Sequence, residues 1–293
     1  MGTAHSPTRP SKGWLAGSSP VQNSVHLTLI GFGEVGQIFA RDFLARGDVR
    51  VTAYDLKFEA PETADLMDKA RAAGVIPALT ATEAADGADI VISAVTASSA
   101  LAVAEQAATW LKPGQIFFDI NSASPGTKTR AAELVNACGA RYVEGAVMAP
   151  VPGPDLKVPI LAGGPAAEEA STILNALGMN VKAVTTEPGR ASAMKLCRSI
   201  MIKGIEALIV DCAAASKAWN VQDEVFASLN ASFPGTDFAD LSRYMAQRVN
   251  QHGVRRAAEM REAGMMLDDL GMDGSLARAV ADAQDRGAGK AGQ

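Results

Sequence analysis

The sequence predicts an α/β Rossmann domain with a doubly wound, mostly parallel sheet, followed by an all-α domain. From Val25 to about Thr185, short β-rich runs alternate with alanine-rich helical runs, which is typical of a parallel sheet covered by helices. After Val184 no strand-like run occurs, and a long helix-forming stretch rich in Ala, Met and Leu begins at Arg190. The two halves of the chain therefore differ in fold class.

The predicted elements follow in order along the chain. Candidate strands lie at residues 25–30, 51–54, 90–95, 116–120, 141–144 and 158–162, with helical runs between them at 37–44, 64–73, 97–110 and 126–138. Helices of the second half are expected at residues 190–218, 224–231, 237–250, 254–270 and 275–285. We divide the chain into a flexible extension (1–24), an α/β domain (25–186) and an all-α domain (187–293) that begins with a long interdomain helix.

Composition excludes several classes of protein. The 293 residues are 48% hydrophobic and 20% charged with a net charge of −5, which supports a large core and gives no basic field for nucleic acid or an anionic membrane. No uninterrupted apolar run reaches the roughly 18 residues of a membrane span. The three cysteines form no CxxC pair and the histidines are only three, so we expect no metal site and a reducing, cytoplasmic location.

A glycine motif between the first two strands predicts the cofactor. The strand at 25–30 leads directly into Gly31, Gly33 and Gly36, a helical run follows, and the second strand ends at Asp55. This order is that of a dinucleotide-binding βαβ unit, in which the pyrophosphate lies at the helix N-terminus. The residues expected to bind the cofactor are Gly31, Phe32, Gly33, Glu34, Val35, Gly36, Asp55, Val95 and Thr96.

The acidic residue at the end of the second strand bears on the choice of dinucleotide. The Asp55 carboxylate can bind both ribose hydroxyls and repels a 2′-phosphate, so we predict NAD as the preferred cofactor. The nearby Lys57 qualifies that preference, because a cation there could accommodate a 2′-phosphate, and NADP stays an alternative.

Three later segments make the chain resemble the β-hydroxyacid dehydrogenase family. They are Asp-Ile-Asn-Ser-Ala-Ser-Pro at 119–125, Tyr-Val-Glu-Gly-Ala-Val-Met-Ala-Pro at 142–150, and Gly189 followed by Lys-Leu-Cys-Arg-Ser at 195–199. These are similar to the D-x-S-T-x-x-P, D-A-P-V-S-G-G and G-x-x-x-x-x-K-x-x-x-N segments of 3-hydroxyisobutyrate, tartronate semialdehyde and 6-phosphogluconate dehydrogenases. The segment 252–260 resembles the C-terminal domain of a poorly characterised branch with a 6-phosphogluconate dehydrogenase-like NAD-binding domain.

The resemblance implies that Lys195 is the general acid/base, which exchanges a proton with the substrate hydroxyl during hydride transfer. Apolar neighbours such as Met194 and Leu196 would shield it from water and lower its pKa, whereas a lone lysine on a helix is usually solvated.

Arg198 could bind a substrate carboxylate, with a surface arginine as the alternative. Asn121 and Ser122 follow a strand end, although Asn and Ser are also common helix caps. The residues expected to contact substrate are Asn121, Ser122, Met148, Arg198, Ser199, Lys203 and His252.

Two departures from the family pattern bear on the substrate. Ser199 replaces an asparagine and cannot donate its two amide hydrogens. Met148, Ala149 and Pro150 replace Ser-Gly-Gly, which removes a hydroxyl and a backbone donor and adds an apolar side chain. We therefore expect a pocket with a more apolar side and a bulkier or less charged substrate than 6-phosphogluconate.

The second half also carries a charged cluster with helical spacing, comprising Arg248, His252, Arg255, Arg256 and Glu259. We interpret it as a solvated helix face with internal pairs, with His252 as the member that reaches the cleft. The alternative is an anion-holding face at the cleft, of this chain or of a partner subunit.

Together these features predict an NAD(P)-dependent oxidoreductase for a small β-hydroxyacid-like alcohol or its carbonyl compound. The alternatives are a C=N reductase similar to imine reductases, against which Lys195 counts, and a catalytically silent dinucleotide-binding sensor or scaffold. The predicted helix around Lys195 is too apolar to stand alone, so we expect it to pack in a homodimer. We therefore predict that 25–186 is a dinucleotide-binding Rossmann domain and 187–293 a substrate and dimerisation domain.

Overall fold

The computed structural model describes residues 25–58, 60 and 64–289, and the extension expected at 1–24 lies outside them. An eight-stranded sheet has the order β3-β2-β1-β4-β5-β6-β7-β8. Strands β1 to β6 are parallel, β7 is antiparallel to β6, and β8 is parallel to β7. The strands are β1 Val25–Ile30, β2 Val49–Tyr54, β3 Ile76–Pro77, β4 Ile90–Ser93, β5 Ile116–Asp119, β6 Arg141–Val147, β7 Pro159–Gly163 and β8 Asn180–Thr185.

Helices cover both faces of the sheet. They are α1 Glu34–Leu44, α2 Ala64–Ala72, α3 Ala81–Ala85, α4 Ala100–Trp110, α5 Pro125–Ala137 and α6 Ala167–Ala176. Adjacent residues of β4 enter different cores: Ile92 packs with Phe39 and Phe43, while Val91 packs with Phe117 on the other face. Burial on both faces explains the continuous apolar runs of the strands. The doubly wound, mostly parallel sheet is the one that the sequence predicts.

Sequence patterning missed four elements of this half. Strand β3 and helix α3 are too short to show a period, while α6 and β8 lie between the last candidate strand and the start of the helical half. The remaining bounds differ from the expected ones by a few residues.

The second half is helical, with α7 Arg190–Ala218, α8 Gln222–Ser232, α9 Phe238–Asp269 and α10 Ser275–Gly287. The expected break between 250 and 254 was wrong, because α9 runs unbroken through Gly253. A side chain on Gly253 would meet the Gln284 carbonyl oxygen at 2.4 Å, so this glycine allows α10 to approach α9 and does not end the helix. Across the described part of the chain, no helix combines the length and hydropathy needed to cross a bilayer.

The strand order reverses direction at β1, which lies between β2 and β4. Successive crossovers leave the sheet on opposite faces at this point, and a crevice opens outside the carboxyl ends of the strands. The register aligns Ile30 with Ser93, Ser93 with Asp119, and Asp119 with Glu144. The segments that follow β1, β4, β5 and β6 therefore leave the sheet at one edge.

Candidate active site

The glycine loop after β1 is shaped by close backbone contacts. Gly31 has φ +98°, and a Cβ there would lie 2.4 Å from the Ala94 carbonyl oxygen. A Cβ on Gly36 would lie 2.4 Å from the Gly31 carbonyl oxygen, whereas nothing lies within 4 Å of a Cβ on Gly33. Gly31 and Gly36 are thus required by the fold itself. Only Gly33 faces open space, where a ligand can approach the backbone.

The start of α1 has the donors that a dinucleotide pyrophosphate needs. Gly33 is the N-cap residue and no side chain caps the helix, so its first N–H groups are available to an anion. Gly33 and Glu34 are exposed. The residues present therefore fit a bound pyrophosphate.

Asp55, at the end of β2, is tied to this loop. Its carboxylate accepts the Phe32 N–H at 2.7 Å and the Lys57 N–H at 2.9 Å. The Phe32 N–H is therefore already used, and its buried ring packs on Phe58 with centroids 5.9 Å apart. Asp55 retains acceptor capacity for ribose hydroxyls, because a carboxylate offers about four lone-pair sites.

A cavity of about 430 Å³ lies between the strand ends and the helical half. Its walls come from the segments after β4 and β5, from the segment 147–151, and from α7 and α9. It brings together ten of the residues expected from the sequence, while the exposed His252 is not in its lining. The ten are Val35, Val95, Thr96, Asn121, Ser122, Met148, Lys195, Arg198, Ser199 and Lys203.

Lys195 projects from the second turn of α7 into this cavity. Its Nζ donates to the Ser122 Oγ at 2.6 Å, which joins the helical half to the loop after β5. Burial lowers the pKa of Lys195 to about 8, while the Glu259 carboxylate opposes the shift and the charges of Lys203, Lys128 and Arg255 add to it. A substantial fraction of Lys195 is therefore neutral near physiological pH and able to accept a proton.

Asn121 holds the ends of β4 and β5 together. Its side-chain oxygen accepts the Val95 N–H at 2.6 Å, and its amide nitrogen donates to the Ser93 Oγ at 2.9 Å. Because both ends of the amide are used, Asn121 shapes the cavity floor. Ser124 is the N-cap of α5, where its side chain accepts the Thr127 N–H, and its backbone N–H donates to Glu262 on α9 at 2.7 Å.

A buried ion pair supports the loop after β5, and the sequence analysis did not predict it. Lys128 Nζ lies 2.9 Å from the Asp119 Oδ1 with both side chains almost fully buried, and the Tyr142 hydroxyl donates to the Asp119 Oδ2 at 2.8 Å. Burial raises the pKa of Tyr142 well above its ordinary value, so it stays a donor. Nothing in the local sequence distinguishes Lys128 from a surface lysine.

Glu144 attaches α7 to the sheet and was also missed. This fully buried carboxylate on β6 accepts the Ala191 N–H at 3.0 Å, the Ser192 N–H at 3.2 Å and the Ser192 hydroxyl at 2.7 Å. It caps the helix that carries Lys195, where Gly189 offers no side chain. A charged residue inside a predicted strand was the signal that could have revealed it.

Ser199, Lys203 and Glu259 form a connected group on the helical wall. Lys203 Nζ donates to the Ser199 Oγ at 3.0 Å and to the Glu259 Oε2 at 2.5 Å. Burial lowers the pKa of Lys203. Burial alone would raise the pKa of Glu259, but Lys195 and Lys203 outweigh it and hold that pKa below its ordinary value, so Glu259 is ionised.

The charged cluster on α9 is not the solvated face that the spacing suggested. Arg248, Arg255, Arg256 and Glu259 all line the cavity, whereas His252 is exposed and is not part of its lining. Arg256 is buried, and its Nε donates to Glu206 Oε2 at 2.9 Å while its Nη2 donates to Oε1 of the same carboxylate. The interpretation was wrong because a 3.6-residue spacing identifies a helix face but not what packs against it.

The segment after β6 forms an apolar wall. Met148 and Val147 are half-buried and Val151 is buried. The Met148 N–H donates to the Pro159 carbonyl oxygen at 2.9 Å, and Pro150 has no N–H. This wall therefore offers few hydrogen-bond donors to a polar group.

Among the described residues, no three His, Cys, Asp or Glu side chains converge in the manner of a metal site.

The fold and the cavity together define a dinucleotide-binding oxidoreductase of the hydroxyacid dehydrogenase type. Residues 26–186 match the NAD-binding domain of 6-phosphogluconate dehydrogenase, and residues 217–287 match a domain of unknown function. The chain belongs to the β-hydroxyacid dehydrogenase family.

Relatives with known structures agree with this assignment. A conserved hypothetical protein from Sinorhizobium meliloti is 38% identical, with a TM-score of 0.79 over 89% of this chain and 88% of that chain. The conserved protein MTH1747, described as similar to 3-hydroxyacid dehydrogenases, is 31% identical, with a TM-score of 0.74 over 90% and 96% of the two chains. The Mycobacterium tuberculosis 3-hydroxyisobutyrate dehydrogenase shares the fold, with a TM-score of 0.73 at 16% identity over 89% and 93%.

Proposed function

We propose that this protein transfers a hydride between NAD(P) and a hydroxyacid-like alcohol or its carbonyl compound, with Lys195 as the general acid/base. One observation carries the proposal: Lys195, with its pKa lowered to about 8, projects into the cavity and contacts Ser122 at the strand ends. Such a group is well matched to proton transfer near neutral pH.

The roles of the chain's own residues follow from this arrangement. When bound, the nicotinamide would accept or supply the hydride. Neutral Lys195 removes the proton of the substrate hydroxyl in the oxidation, and its protonated form returns a proton to the carbonyl oxygen in the reduction. Ser122, through its 2.6 Å contact, holds the Lys195 Nζ towards the cavity. Val95, Thr96 and Asn121 bound the cavity on the cofactor side.

The test is Lys195→Met with NAD or NADP and a panel of 3-hydroxy acids. We expect turnover to fall by about a thousandfold, within the range for loss of a general acid/base, while fluorescence titration shows unchanged NADH binding. Lys217→Met is the matched control, since Lys217 is exposed on the same helix outside the cavity. Wild-type protein that binds NADH but converts no alcohol or carbonyl compound would contradict the proposal and favour a silent sensor or scaffold.

We propose NAD as the preferred cofactor. Asp55 lies beside the glycine loop, to which its carboxylate is bonded at 2.7 Å, and a 2′-phosphate would meet this negative charge. A solved structure with the same fold, Psf3, was determined with NADP⁺, so the fold is compatible with either dinucleotide.

We also propose a homodimer formed through α7 and α10. Met201, Leu208 and Leu276 are 63%, 72% and 69% exposed beside an apolar groove of about 480 Å³. Exposed apolar patches of this kind mark association surfaces. Light scattering should show a dimer that Leu208→Glu converts to a monomer. Leu79→Glu, at an apolar site in the first half that is 56% exposed, should leave it intact.

A further inference from the structure

The cavity is positively charged although the whole chain carries a net charge of −5. One carboxylate, Glu259, lines it, and a second, Glu206, lies buried behind the wall. Gathering cations in one enclosed place costs electrostatic free energy, because like charges repel each other more strongly in a medium of reduced dielectric. The six cationic side chains that line the cavity are Lys195, Arg198, Lys203, Arg248, Arg255 and Arg256.

Three of these cations pair with two carboxylates of the protein. Glu206 accepts two hydrogen bonds from Arg256 and lies 3.0 Å from the Arg248 Nε, so a single buried carboxylate serves both arginines. Glu259 pairs with Lys203 at 2.5 Å. These pairs stabilise the helical wall and leave the three cations little hydrogen-bonding capacity for a ligand.

Arg198 and Arg255 are different. Both guanidinium groups line the cavity and are exposed, and neither makes a hydrogen bond or ion pair with any residue in the described part of the chain. The charge of Arg255 reaches the other functional groups, because it lowers the pKa of both Lys195 and Glu259. Two free planar donors beside an acid/base lysine form a site for an oxyanion.

The cofactor phosphates do not explain these two arginines. The pyrophosphate would lie at the start of α1 and a 2′-phosphate near Asp55, but the only residue from these segments in the cavity lining is Val35. The charge on Arg198 and Arg255 is therefore available to a different anion.

The opposite wall offers that anion no charged or polar side chain. Residues 147–151 present Val, Met, Ala, Pro and Val to the cavity, and the Met148 N–H is already bonded to the Pro159 carbonyl oxygen. A charged group against this wall would lose its hydration without gaining partners. An apolar group, in contrast, would be buried favourably there.

We propose that Arg198 on α7 and Arg255 on α9 bind the substrate carboxylate, while the wall at 147–151 holds an apolar substituent. The inference rests on the proposed function and names its substrate class: a hydroxy acid, or its oxo form, with a bulky apolar group. This substrate class agrees with the apolar side and with the less charged substrate expected from the sequence, because a hydroxy monocarboxylate lacks the phosphate of 6-phosphogluconate.

The test measures binding, without turnover, by calorimetric titration of the full chain with 3-phenylpropanoate, its neutral amide and phenyl phosphate. We expect 3-phenylpropanoate to bind more weakly as salt rises, and the amide to bind at least about tenfold more weakly, because it lacks the charge-assisted hydrogen bonds. Arg198→Gln and Arg255→Gln should each weaken carboxylate binding about tenfold or more, and Arg255→Lys should weaken it less. Arg261→Gln is the control, since Arg261 lies on α9 but pairs with Asp285.

The outcomes separate this inference from the proposed function. If the wild-type chain binds NADH but binds the carboxylate and the amide equally, or if Arg255→Gln has no effect, the carboxylate site is overturned and the dehydrogenase proposal stands. Tighter binding of phenyl phosphate than of 3-phenylpropanoate would also overturn it. If NADH itself does not bind, the proposed function fails whatever the arginine variants do. Thermal unfolding of each arginine variant should match that of the wild type, because both arginines are exposed.

Discussion

The two walls of the cavity are built in opposite ways. The Rossmann wall rests on backbone and small residues held by close contacts, such as the lining residue Ala94 against Gly31 and Asn121 between two strand ends. The helical wall is made of long charged side chains held by ion pairs, such as Arg256 with Glu206. The first wall should therefore be sensitive to changes of shape, and the second to changes of charge.

The largest expected effect on stability tests the helical wall. Glu206→Gln removes the counter-charge of Arg256 and Arg248 inside the protein, and breaking a buried ion pair costs about 3–5 kcal/mol. Urea unfolding measures the loss. The control Glu133→Gln breaks a pair with Arg130 that is 59% exposed on both sides, and should cost at most about 1 kcal/mol. Equal losses of stability in the two variants would show that the buried ion pairs of the helical wall contribute no more than an exposed pair.

The next effect tests shape in the glycine loop behind the Rossmann wall. Gly36→Ala puts a Cβ 2.4 Å from the Gly31 carbonyl oxygen, and overpacking of this kind costs about 1–3 kcal/mol. Gly33→Ala has nothing within 4 Å and should leave the melting temperature unchanged, while weakening NADH binding because the methyl group lies where the pyrophosphate approaches. Unfolding and fluorescence titration of both variants distinguish Gly36, which the fold requires, from Gly33, which dinucleotide binding requires. A destabilised Gly33→Ala variant would show that the fold requires Gly33 as well as Gly36.

A smaller effect concerns the choice of cofactor. Asp55→Asn keeps an acceptor for the Phe32 N–H but removes the charge that repels a 2′-phosphate. The ratio of kcat/KM for NAD to that for NADP should exceed one in the wild type and fall by about tenfold, the scale of one charged hydrogen bond. Asp48→Asn, at an exposed pair with Arg46, is the control. A ratio that does not change would remove Asp55 from cofactor selection.

The smallest effect is a shift of the pH profile. The rate of alcohol oxidation should rise with pH through about 8, where Lys195 loses its proton and becomes a base, and the reverse reduction should slow over the same range. Glu259→Gln removes the carboxylate that raises the pKa of Lys195, so the rise should move to lower pH. Glu224→Gln, exposed on α8, should leave the profile in place. A shift to higher pH would contradict the assigned interaction.

The Rossmann wall could be predicted from the sequence because its information is local. The glycine motif lies within one βαβ unit, and backbone geometry fixes what each glycine does. Even there, patterning could not show that the Phe32 N–H binds Asp55, because that contact joins two strands. The short β3 and α3 were missed for want of a period.

By itself, the sequence determined the fold class, the dinucleotide motif, the family, and the place of Lys195 on a long helix. Only the tertiary structure decided which charges surround that lysine. Glu259 and Arg255 come from a helix distant in sequence, and His252, on the same helix, is exposed outside the cavity lining. The physical reason is that hydrophobic periodicity and turn residues encode local structure, whereas the pairing and burial of charges depend on which helix faces meet.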